Sequence, residues 1–117
     1  MSVTAEDFLR FASELLAKPI QTEIDHRNAA ARTYYAVMHL VRSELGINPT
    51  LGSHELIKRE LLSLPPIDTS PFLREAKRYW QTLYDTRIRA DYHTHTSITR
   101  DTALASLEIA SRIFGLR

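Results

Sequence analysis

An all-α fold, an up-and-down bundle of four to five helices built on two long antiparallel central ones, is what three observations on this sequence predict. Apolar residues recur at steps of three and four along the long stretches, the spacing that keeps one stripe on one helical face. Only three glycines and five prolines occur, and the prolines stand at the edges of those stretches rather than inside them. No stretch alternates apolar and polar residues with the period of two that a half-buried strand needs.

The first helix opens at Thr4, a capping residue, with Glu6 and Asp7 at the positive end of its dipole. Phe8, Phe11, Leu15 and Leu16 recur at helical spacing until Lys18-Pro19 stops it. The second starts near Thr22 and closes at Gly46, which suits the left-handed position just past a helix end. It spans about 35 Å at roughly 1.5 Å per residue. Its seam is Ala31, Tyr34, Met38, Val41 and Leu45. A shorter third helix runs from about Ser53 to Leu62 and ends before Leu64-Pro65-Pro66. Ser70-Pro71 then supplies a cap and a first-turn proline for the fourth, whose seam is Leu73, Ala76, Trp80, Leu83 and Ala90. That helix runs out near Tyr92, where Thr94, Thr96, Ser97 and Thr99 replace the apolar rhythm. Thr99 caps the last helix, with Leu104, Leu107, Ser111 and Phe114 on its inner face, Ile109 and Ile113 widening it, and Gly115 at its end.

A chain of 117 residues fits one domain, residues 1–117, because a core of this size buries roughly two thirds of the unfolded surface. Lys and Arg total 15 against 14 Asp and Glu, so the overall charge demands neither a polyanion nor a membrane surface as partner. If RNA binds, the basic residues must be grouped locally. The absence of cysteine excludes disulfides and thiolate metal sites. Met1 to Arg10 lacks the basic start and apolar run of a leader, and no run approaches the ~20 apolar residues that cross a bilayer, so a cytoplasmic location is expected.

One position breaks the pattern. Between Leu83 and Ala90 the three-four rhythm requires a residue at 87, and that residue is arginine. A guanidinium on a core stripe costs desolvation unless it is paired or faces a shared cavity, so Arg87 marks a buried ion pair or a site. Around it, Arg87-Ile88-Arg89-Ala90-Asp91-Tyr92-His93-Thr94-His95 gathers two guanidiniums, a carboxylate, a phenol and two imidazoles. Cleaving RNA without a metal needs a base for the 2′-hydroxyl proton, an acid for the leaving 5′-oxygen and fixed positive charge on the phosphate. Histidine titrates near neutrality and serves the first two needs; arginine stays charged and binds phosphate bidentately.

Arg87 followed by Ala90-Asp91-Tyr92 and His93 resembles the signature of the HEPN family (higher eukaryote and prokaryote nucleotide-binding), an arginine and then, after a short spacer, a histidine; here five residues intervene. Upstream, Ala31-Arg32-Thr33-Tyr34-Tyr35-Ala36-Val37-Met38-His39 is similar to the arginine, double-tyrosine, alanine pattern on the long second helix of small prokaryotic HEPN proteins. The resemblance covers about Asp25 to Phe114. It implies a homodimer in which two copies of the motif form one RNA-cleaving cleft. Members act as toxins paired with a nucleotidyltransferase-like antitoxin, or in other defence and RNA-processing systems; some related domains only bind nucleotides or proteins. In the toxin group a modified tyrosine stands two places after the histidine, where this chain has His95, and Tyr92 precedes the histidine instead.

On this reading Arg87 holds the scissile phosphate, His93 is base or acid, Asp91 orients one of them, and no cofactor takes part. Arg89 and His95 repeat the Arg87–His93 separation, but Arg87 lies on the inner stripe whereas Arg89 should point away, which suits plain charge at a helix C-terminus. In an unbroken helix a residue six places on lies about 120° around the axis, so Arg87 and His93 converge only if the helix ends first or a second chain supplies the partner. Arg32 either pairs inside the bundle or reaches the cleft together with Arg89, His95 and Tyr92. Asp91, His93 and His95 alternate as metal ligands do in extended backbone, but fall short of the strong ligand set such a site needs, and no metal is expected. The alternative function is a silent module that binds a nucleotide phosphate or a partner protein through the same arginines.

Overall fold

Five helices make up most of the residues described by the computed structural model, which are 2–48, 54–67 and 69–117. They are α1 Ala5–Ala17, α2 Glu23–Glu44, α3 His54–Leu62, α4 Pro71–Tyr92 and α5 Arg100–Gly115. The expected start of the third helix at Ser53 lies outside the described residues.

The predicted caps form. The Thr4 hydroxyl accepts from the Asp7 N–H at 3.2 Å while the Asp7 carboxylate accepts from the Thr4 N–H at 2.9 Å. At α2 the Asp25 carboxylate accepts from the Thr22 N–H at 3.0 Å and from the Lys18 ammonium at 3.1 Å. Those donors, led by the Thr22 backbone, hold Asp25 below the usual carboxylate pKa. Ser70 and Thr99 accept from the Leu73 and Thr102 N–H groups and start α4 and α5. Gly46 takes φ 69°. Its N–H reaches the Ser43 carbonyl and that of Ile47 reaches Arg42, each at 3.1 Å, which closes α2 with paired reverse bonds.

The helices run up and down. Toward one end of the bundle Tyr34, Val37, Val41, Ile57, Leu61, Phe72, Trp80, Leu83 and Ile113 form a large core. Toward the other, Ala12, Leu16, Ala29, Ala30, Ala90, Ile98 and Ala103 form a smaller one. Along α2 the chain passes from the small core to the large; along α4 it passes back, so the two long helices are antiparallel. Arg87 lies on α4 between Leu83 of the large core and Ala90 of the small one.

The inner face of α5 differs from the expected one. Ala103, Ser106, Ala110 and Ile113 are buried, Leu104, Leu107, Ile109 and Phe114 flank them half-buried, and Ser111 is exposed. The face is rotated by one residue, roughly 100°. Small side chains occupy the line of closest approach, and the larger apolar ones reach around it. On α4, Phe72 is buried and Leu73 half-buried, the same kind of one-residue shift at a helix start.

Candidate functional site

The side chain of Arg87 is 16 % exposed and lies between the long helices. Its Nη2 donates to the Tyr35 hydroxyl of α2 at 2.6 Å. Its Nε lies 2.9 Å from the Asp91 carboxylate one turn on. That contact is an ion pair rather than a directed bond, because the buried Nε lacks a hydrogen-bond partner of good geometry. Burial works against the guanidinium charge, but Tyr35 and Asp91 outweigh it, and the pKa of Arg87 is raised further above an already high value. It is a permanent cation.

Aromatic rings surround it. The Arg87 guanidinium carbon lies 5.2 Å from the Tyr35 ring centroid and 5.4 Å from that of Tyr92, and the Arg32 guanidinium lies 5.3 Å from Tyr35. Tyr35 thus joins both predicted arginines. Phe8 of α1 extends the cluster, 6.4 Å from Tyr35 and stacked on His39 at 4.9 Å. Phe11 and Val3 are exposed and share a shallow groove with Phe8, Asp7 and Arg32.

His93 caps the C-terminus of α4, its N–H bonded to the Arg89 carbonyl at 3.1 Å. Its imidazole is exposed, with the ring centroid 5.8 Å from that of His95. No hydrogen bond or ion pair among the described residues joins Arg87 to either imidazole. The fold brings Arg87, Asp91, Tyr92 and Arg32 into one cluster and places His93 and His95 just beyond it. Arg89 is exposed, as its position on the outer side of the stripe implies. Among the described residues no group of three or more His, Asp or Glu is placed to hold a metal ion.

Three residues have a role here that the sequence did not assign. Tyr35 stands in the double-tyrosine pattern, but its bond to Arg87 follows only from the helix it faces. His54 stacks on Tyr84 at 3.5 Å and on Trp80 at 5.4 Å, and shares a 2.7 Å hydrogen bond with the Tyr34 hydroxyl. Burial lowers the His54 pKa and raises that of Tyr34, so both stay neutral. The third is Arg27, buried at 7 % exposure. Its signal was present: stepping the α2 seam back four places from Ala31 lands on Arg27, the same violation that flags Arg87.

Two guanidiniums around one phenol, with an exposed phenol and two exposed imidazoles at the adjoining helix end, can bind a phosphodiester and move protons beside it. No family model, curated protein or solved structure matches this chain.

Proposed function

We propose that this chain is a metal-independent ribonuclease of the HEPN kind, active as a homodimer on RNA. The observation that carries the reading is Arg87, a permanent cation on an otherwise apolar stripe, held by Tyr35 and Asp91 yet 16 % exposed at the end of the helix that His93 caps. Arg87, with Arg32 beside it, binds the scissile phosphate. Asp91 orients Arg87 rather than an imidazole. The 2′-oxygen attacks phosphorus as one imidazole takes its proton, the bond to the 5′-oxygen breaks, and a second imidazole protonates that oxygen. The products are a 2′,3′-cyclic phosphate and a 5′-hydroxyl. Since no hydrogen bond or ion pair among the described residues joins Arg87 and His93, the motif of a second copy completes the cleft. The exposed Phe11 and Val3 beside Arg32 support such a contact. A toxin held by a nucleotidyltransferase-like antitoxin is the setting that the HEPN resemblance implies.

The test is cleavage of a labelled structured RNA in excess chelator by wild type, Arg87→Ala and His93→Ala, each first shown to be helical. Removing the phosphate-binding charge should lower the rate about 10²- to 10³-fold. Removing the proton-transfer group should lower it about 10²- to 10⁴-fold. Products bearing a 5′-phosphate, or activity abolished by chelator, refute the mechanism.

One observation favours a second reading, the non-catalytic module. Tyr92 is 65 % exposed with its ring 5.4 Å from the Arg87 guanidinium, an arrangement that offers a base a stacking surface beside a phosphate site. Calorimetric titration that finds a nucleotide bound and left intact, with no RNA cleaved, selects it.

A further inference from the structure

The last carbonyls of helix α4 need partners that the helix itself cannot supply. Arg27, projecting from α2, reaches two of them and two carbonyls of the turn that follows. Its Nη1 donates to the Arg89 carbonyl at 3.1 Å and to that of Ala90 at 3.0 Å. Nη1 and Nη2 both reach the His93 carbonyl at 3.3 Å, and Nη2 also donates to the Thr96 carbonyl. Nε pairs with Glu23 at 2.9 Å. Every nitrogen of one buried guanidinium is engaged, four of its acceptors being backbone carbonyls at the negative end of a helix dipole and in the turn after it.

That turn carries both imidazoles. The Thr96 N–H and hydroxyl return to the His93 carbonyl at 3.2 and 3.1 Å, closing His93-Thr94-His95-Thr96 into one tight unit. Downstream, Ile98 is 1 % exposed and anchors the chain in the small core. The His93 and His95 side chains are themselves exposed, so the backbone beneath them decides where they stand. We propose that Arg27 is the positioning residue of the candidate site, the side chain that ties the His93–Thr96 turn to the end of α4 and fixes both imidazoles relative to Arg87. Its place in catalysis rests on the ribonuclease reading; its hold on the turn does not. Lysine cannot replace it, because a single ammonium with three hydrogens cannot span carbonyls on both sides of the turn while pairing with Glu23.

The experiment compares wild type with Arg27→Lys by amide hydrogen exchange at His93 and Thr96, by the imidazole proton NMR signals of His93 and His95, and by kcat and KM on RNA. In a folded Arg27→Lys protein, exchange at the two amides accelerates at least tenfold and both imidazole signals shift. kcat falls tenfold or more while KM, governed by the retained Arg87, changes less than threefold. Guanidinium ion added to Arg27→Ala restores part of the rate, which a general loss of stability would not allow. Unchanged exchange and unchanged imidazole signals in Arg27→Lys overturn the proposal whatever the activity. A loosened turn with wild-type kcat overturns its catalytic part. If the wild type cleaves no RNA, the ribonuclease reading falls, and the exchange and imidazole measurements still decide what Arg27 holds. Should Arg27→Lys not fold, Glu23→Ala, which removes the acceptor of Nε and so lets the guanidinium swing away from the carbonyls, gives the same two readouts with smaller expected changes, and their absence counts against the proposal.

Discussion

Replacing Tyr35 with phenylalanine removes one oxygen and leaves the ring. The contacts of that ring with Arg32, Arg87 and Phe8 persist, and what disappears is the acceptor 2.6 Å from Arg87 Nη2. A hydrogen bond to a charged group contributes about 1.5 to 3 kcal/mol. Arg87 keeps Asp91 at 2.9 Å and is 16 % exposed, so water recovers part of the loss and the lower figure, about 1.5 kcal/mol, applies. With an unfolding entropy of roughly 2.1 cal/mol/K per residue over 117 residues, this lowers Tm by about 6 °C. Urea unfolding of Tyr35→Phe, Arg87→Met and the double variant isolates the pair. A coupling energy of about 1 to 1.5 kcal/mol is expected from the lost bond. Additivity within about 0.3 kcal/mol would show that Tyr35 does not hold Arg87, and with it would go the argument that the guanidinium is fixed for phosphate.

Further outcomes follow from the same structure. Gly46→Ala should cost about 1 to 2 kcal/mol from backbone conformation alone, because φ is 69° and an added Cβ meets nothing within 4 Å; a neutral result in urea unfolding would contradict the left-handed cap. On α5, Ser111→Glu should change stability by less than about 0.5 kcal/mol, whereas Ala110→Glu buries a carboxylate and should cost several times more; equal effects in thermal melts would contradict the rotated face. Burial lowers the pKa of His54 and, together with Arg42, that of His39, so as pH falls below 6.5 the unfolded chain takes up protons first. Stability from these groups is therefore complete above 6.5 and declines as pH falls toward their folded values; melts between about pH 7.5 and pH 5 should show a decline that His54→Gln with His39→Gln flattens.

The sequence by itself determined the helices. Thr4, Thr22, Ser70 and Thr99 cap, Gly46 terminates, and the seams on α2 and α4 repeat, because these signals act within a few residues and owe little to the rest of the chain. The oddness of Arg87 was legible for the same reason, as a charge on an apolar rhythm, and Arg27 stood one step further along the rhythm of α2. Only the tertiary structure decided what those two arginines touch. Tyr35 reaches Arg87 from another helix, and the acceptors of Arg27 are backbone carbonyls, which carry no residue identity for a sequence to display. The rotation of α5 was hidden likewise: at the closest helix approach the space admits Ala103, Ser106 and Ala110, so burial there follows the room between backbones rather than the apolarity of the side chain.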